Sequence, residues 1–233
     1  LIQFVRTHHP QYGSNAPAAL IYKETHKIEY LKNGFLTGKE TGASGAEMIT
    51  LIYQQIQAIR WLGGDASEFN EAISNWKSQA GNLANYEEHG YPVLLQDMMT
   101  PVCRQLLNIP LSDSAAVLNY LQSRRRENGS FNNAPAKDGG DGNILNTYWS
   151  LYVLNIFGKN NLLHNETIKW IQSCQLKNGG FTHQPRPIIG ANDEVAYTWA
   201  AVKSLQLLSA KPADKKACIR YLLSLQNEDG GFG

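Results

Sequence analysis

The sequence predicts an all-α chain of repeated helical hairpins. Three observations carry that prediction: glycine turns at near-equal intervals, alternation of wholly apolar with amphipathic helical segments, and no useful length of strand-like alternation. The turns are Glu127-Asn128-Gly129-Ser130-Phe131, Lys177-Asn178-Gly179-Gly180-Phe181 and Glu228-Asp229-Gly230-Gly231-Phe232, whose glycines at 129, 179 and 230 stand 50 and 51 positions apart. Gly81 and Gly34 extend the series backwards at steps of 48 and 47. These two early members are weaker, since Gly81 has no aromatic two residues on and Phe35 follows Gly34 directly.

Each interval reads as two helices. Ala18 to Lys32 resembles the outer helix of a preceding pair; Glu47 to Leu62 and Ser67 to Gln79 make the first full pair, and Asp97 to Asn108 with Ser112 to Arg125 the second. In the third, Asn146 to Phe157 carries no charge at all, so it is buried on every side. Its partner, Asn165 to Lys177, alternates Ile168, Trp170, Ile171 and Cys174 with Glu166, Lys169, Gln172 and Ser173, giving one apolar and one wet face. The fourth pair repeats the contrast: Val195 to Leu208 is nearly all apolar, and Ala213 to Gln226 bears Asp214, Lys215, Lys216 and Arg220. Buried helix, amphipathic helix, glycine turn, and again, describes a two-layered ring or arc. Glycine ends a helix where φ must be positive, so Gly179 and Gly230 are expected there, with the following Phe folding back as an apolar lock. Residues 1–16 are expected to be irregular and 17–233 to form one domain.

Composition narrows the function. The 233 residues are 42% hydrophobic with a formal net charge of +1, enough apolar content for a core and too little charge for a nucleic-acid footprint. The run Arg124-Arg125-Arg126 falls at a helix end, where cations suit the dipole and the last carbonyls. Cys103, Cys174 and Cys218 are odd in number and widely spaced, which suggests neither disulfides nor a thiolate zinc site but small buried hydrophobes. No apolar run suffices to cross a bilayer. The Asn128-Gly129-Ser130 and Asn165-Glu166-Thr167 glycosylation triplets carry little weight. The chain begins at Leu1 rather than Met, and the expectation is a processed protein or a fragment truncated at its C-terminus.

The repeat resembles the glycine-aromatic repeat of squalene-hopene cyclases and related terpene cyclases: Gln175, Gly179 and Phe181 fit it, as do Gln226, Gly230 and Phe232, while Arg125 replaces the Gln before Gly129 and Phe131. Arg186-Pro187 and Glu194-Val195-Ala196-Tyr197-Thr198-Trp199 are similar to the loop and inner-helix start of protein prenyltransferase β subunits. Asn146-Thr147-Tyr148-Trp149 and Asn192-Asp193-Glu194-Val195 are also similar to inner-helix starts of the thioester domains of α2-macroglobulin and complement proteins. The resemblance spans roughly residues 33 to 233 and implies an α/α toroid.

It also implies chemistry, branch by branch. A class II terpene cyclase protonates an alkene with an acid opening an inner helix; Ala191-Asn192-Asp193-Glu194 aligns Asp193 with the proton donor and Glu194 with the acid that follows, and the first Asp of the motif is lost to Ala191. The other reading is that Asp193 caps the helix and Glu194 favours its positive end. A prenyltransferase zinc site would need a thiolate where Ala196 stands, and His183 is a lone loop histidine, so no metal and no cofactor is expected. A thioester needs a Cys that the Gln96 region lacks. Tyr148, Trp149, Tyr152, Tyr197 and Trp199 lie on inner helices, where such rings either line a cavity and steady carbocations or fill a core.

The expectation is therefore a toroid binding an apolar, isoprenoid-type ligand through those five aromatics and Arg186, with cyclisation begun by Asp193 and Glu194 as the enzymatic version. The alternative is a non-catalytic protein-binding module shaped like a thioester domain. The partner is an apolar small molecule or a protein.

Overall fold

A computed structural model describes residues 45–61, 63–76, 94–111, 114–159, 165–185 and 195–226. Among these residues there are eight α-helices, two short 3-10 segments and no β-strand, as the repeat reading requires. They fall into two compact units, one with residues 45–76 and 99–111, the other with 94–98 and 114–226.

In the first unit, α1 (Gly45–Trp61) buries Ile49, Ile52, Ile56 and Ile59, a stripe at helical spacing. The expected outer helix from Ser67 begins differently. The Asp65 carboxylate accepts from the Ser67 N–H at 2.9 Å and from its hydroxyl at 2.6 Å. That local capture opens a 3-10 turn, Ser67–Phe69, before the short α2 (Asn70–Ser74). Phe69 and Ile73 seat this piece. The division between units falls inside α3 (Leu94–Leu106).

The second unit holds α4 (Ser114–Arg124), α5 (Ile144–Ile156), α6 (Asn165–Ser173), α7 (Val195–Leu207) and α8 (Lys215–Ser224). Helix α5 buries nine of its thirteen residues, and α6 buries only Thr167, Trp170 and Ile171. Charge-free α5 is thus the inner helix and amphipathic α6 the outer one. Helix α7 packs on both α5 and α6.

The glycine turns are near-copies. Arg125 pairs with Phe131, and Gln175 with Phe181, as isolated antiparallel bridges. Outer helices therefore stop at Arg124 and Ser173, earlier than periodicity suggested, because the next residues turn to pair across the loop. Asn128 Oδ1 accepts from the Ser130 N–H at 3.0 Å, and Asn178 Oδ1 from the Gly180 N–H at 3.1 Å, closing the turns from inside. Gly129 and Gly179 have φ of 79° and 100°. Gly230 lies outside the described residues. Phe131 and Phe181 are fully buried, the expected locks, and their N–H groups donate to Thr147 Oγ1 (3.1 Å) and Thr198 Oγ1 (3.0 Å) on inner helices.

Candidate aromatic site

The site is assembled where inner helices begin. Asn143 caps α5, its side chain accepting from the Leu145 N–H at 2.8 Å. Its own N–H donates to the Phe131 carbonyl, and the Ile144 N–H donates to the His183 carbonyl at 3.0 Å. One glycine-turn segment on each side thus fixes the start of α5. Arg126 holds the intervening loop: its guanidinium donates to the carbonyls of Gly140 (2.6 Å), Gly139 (2.7 Å), Arg124 (3.1 Å) and Ala134 (3.2 Å). The arginine run is thus partly structural. Arg124 is buried, with its guanidinium 4.5 Å from the centre of the Tyr120 ring, a cation–π contact.

Four of the five expected aromatics form one cluster. The Tyr148 ring meets Trp149 edge-on at 5.3 Å, stacks with Tyr152 at 5.9 Å and meets Trp199 edge-on at 4.6 Å. Tyr197 stands apart, 5.8 Å from the His183 ring. The cluster is graded in exposure. Tyr148 and Trp149 are buried among their neighbours, Tyr152 and Tyr197 are half-buried, and Trp199 is 42% exposed. The inner pair fills space between helices, and the outer rings keep part of their surface exposed. Burial raises the pKa of the Tyr152 phenol.

Asp193, Glu194 and Arg186 lie outside the described residues. Among the described residues no group of three His, Cys, Asp or Glu could hold a metal ion. The three cysteines are free and buried, as their spacing suggested. Burial pushes the Cys174 thiol up to about 12 and raises those of Cys103 and Cys218.

Sequence reasoning missed two polar features. Asp97 is buried with the Tyr120 hydroxyl 3.5 Å from its Oδ2; the chain reads only as a helix start there. Gln55 is fully buried on α1 with neither side-chain polar atom hydrogen-bonded, and nothing in the local sequence marks it. An open cleft of about 560 Å³, lined by Gln122, Arg125, Arg126, Glu127 and Glu166, also lies at the Gly129 turn, its charges mixed in sign.

A family model for the prenyltransferase alpha-alpha toroid domain matches residues 22–233. No curated protein matches the chain. No helix among the described residues is long and apolar enough to cross a membrane.

Proposed function

As the chain belongs to the prenyltransferase alpha-alpha toroid family, we propose that it binds an apolar, isoprenoid-type ligand against the aromatics of its inner helices. The observation that carries this reading is the graded cluster: rings of Tyr148 and Trp149 locked by burial support Tyr152 and Trp199, which keep open faces. Buried rings hold the geometry, and exposed π faces supply affinity for a hydrocarbon and for positive charge developing along it. Arg186 would meet an anionic end of such a ligand.

In the enzymatic version Asp193 gives its proton to a terminal alkene carbon. The cation left on the neighbouring carbon is attacked by the next double bond, which closes a ring, and proton loss from the product cation restores the balance. As a general acid, Asp193 would have to hold its proton until that step. The test compares the wild type with Asp193→Asn, incubated with linear isoprenoid diphosphates and with squalene and analysed by mass spectrometry. Cyclic product from the wild type, lost in the variant, is the expected outcome. Absence of ligand binding by the wild type, read from quenching of its tryptophan fluorescence by the same compounds, would overturn the binding reading itself.

A second reading, a non-catalytic module that binds protein, is favoured by the filled state of the Tyr148–Trp149 centre. It predicts no isoprenoid binding and indifference to Asp193→Asn.

A further inference from the structure

We infer that the cleft at the Gly129 turn binds an amino acid or short peptide bearing both a carboxylate and an ammonium, with Arg125 donating to the carboxylate and Glu127 and Glu166 accepting from the ammonium. The cleft encloses about 560 Å³ and is lined by Gln122, Arg125, Arg126, Glu127 and Glu166. That volume lies in the range of small-ligand sites, roughly 300–1,000 Å³. The lining sets two cations against two carboxylates and shares no residue with the aromatic cluster.

Arg125 is the member of the arginine run that the fold leaves unengaged. Arg124 lies against the Tyr120 ring, and Arg126 donates to four backbone carbonyls. Arg125 is half-buried, its Nε is shielded from solvent, and its guanidinium meets no acceptor among the described residues. A partly desolvated cation without a counter-charge is costly, and the terminal end of its fork offers paired donors that match a carboxylate. The side chains of Gln122, Glu127 and Glu166 are exposed and form no hydrogen bond or ion pair among the described residues. A purely anionic ligand would meet the two carboxylates, and a purely cationic one the two arginines; a ligand with both charges answers both.

The Gly179 turn shows the same polar positions engaged by the protein itself. Gln172 and Gln175 stand there where Gln122 and Arg125 stand here. Gln175 Nε2 donates to the Asp214 carbonyl at 2.9 Å, and its Oε1 accepts from the Asp214 N–H at 2.8 Å. Gln172 Nε2 donates to the Lys211 carbonyl at 2.8 Å. A guanidinium has no acceptor, so Arg125 cannot reproduce the two-way bond of Gln175. A Cβ on Gly179 would meet Ala217 and Cys218, as one on Gly129 would meet Thr167, so Ala217 is the counterpart of Glu166. Ala217 is 1% exposed, whereas Glu166 is exposed. Arginine for glutamine and glutamate for alanine are thus two departures from the repeat that line one cleft with opposite charges.

The test follows the Arg125 Nε–H signal and the backbone amides of residues 122–127 by NMR while trialanine with free ends, its N-acetyl form or its C-terminal amide is added. Trialanine is expected to shift these signals saturably, and each blocked form to bind at least about tenfold more weakly, the effect of losing one charge-assisted contact. Arg125→Gln installs the residue of the Gly179 turn; it is expected to abolish binding and to keep Tm within about 2 °C of the wild type. Glu166→Ala is expected to weaken trialanine about threefold and to leave the acetylated form unchanged. If Arg125→Gln proves less stable than that, the blocked peptides and Glu166→Ala decide. Absence of a saturable shift overturns the inference. Equal binding of either blocked form overturns it too, since the cleft would then read one charge alone. So does an Arg125 signal that moves in Glu166→Ala before peptide is added, since the two side chains would then be paired with each other. The outcome is independent of isoprenoid binding.

Discussion

At the scale of single residues, Gly158 and Gly179 separate two reasons for having no side chain. Both have positive φ, 65° and 100°. A Cβ at Gly158 would meet nothing within 4 Å, whereas one at Gly179 would stand 2.1 Å from the Ala217 carbonyl carbon and 2.5 Å from the Cys218 nitrogen. Gly158 answers only to its dihedral angle; Gly179 also lets the N-terminus of α8 come into contact. Alanine at Gly158 is expected to cost about 1 kcal/mol, the strain of an L residue in the left-handed region. Alanine at Gly179 adds a backbone collision that no rotamer relieves, and a cost of about 3 kcal/mol or more is expected. Urea denaturation of the two variants checks this. Equal losses would show that the close approach of α8 has no energetic consequence.

At the scale of elements, the inner helices stop by one device. Asn108, Gly158 and Ser209 each follow an inner helix with φ of 56°, 65° and 54°. In each case the next residue's N–H reaches back five residues: Ile109 to Arg104, Lys159 to Leu154 and Ala210 to Leu205. Ser209 takes this conformation without the glycine that suits it. Ser209→Gly is expected to stabilise the protein by about 0.5–1 kcal/mol, relief of strain outweighing the added freedom of the unfolded chain. Thermal unfolding of that variant is the check, and a lower Tm would mean that the serine side chain stabilises the stop. This position also shows why some boundaries were hidden. The period of the glycine turns and the contrast between charge-free α5 and amphipathic α6 are properties of many residues, so they are legible in the sequence. Ser209 as a stop, the 3-10 start at Ser67 and the early ends of the outer helices depend on single hydrogen bonds, which composition does not announce. The sequence pattern runs this helix to Asn108, whereas it ends at Leu106 and Asn108 is the second residue beyond.

At the scale of the whole molecule, the α/α toroid was legible because every repeat restates it. The candidate site was legible only as a set of residue types. The sequence placed Tyr148, Trp149, Tyr152 and Trp199 on inner helices; it could not grade them, since Tyr148 and Trp199 hold equivalent positions and differ only in what packs beside them. The three cysteines offer a property of the fold as a whole, because one lies in the first unit and two in the second. A thiol is neutral when protonated, and burial disfavours the thiolate, so the folded pKa values of Cys103 and Cys174 lie well above the ordinary value of about 8.5. Below about pH 8 both states hold the proton and the thiols leave stability unchanged. Above about 8.5 the unfolded chain releases protons that the folded chain keeps, which favours unfolding. Stability therefore falls as pH rises from about 8.5 towards 11, by up to about 1.4 kcal/mol per pH unit for each buried thiol. Tyrosines and lysines titrate in the upper part of that range, so the decisive quantity is a difference. The gap in stability between the wild type and Cys103→Ala/Cys174→Ala, whatever its size at pH 7.5, is expected to shift in favour of the variant by about 1 kcal/mol or more at pH 9.5. Urea denaturation at the two pH values measures it. A gap that stays constant would mean that these thiols ionise as readily in the folded protein as in the unfolded chain.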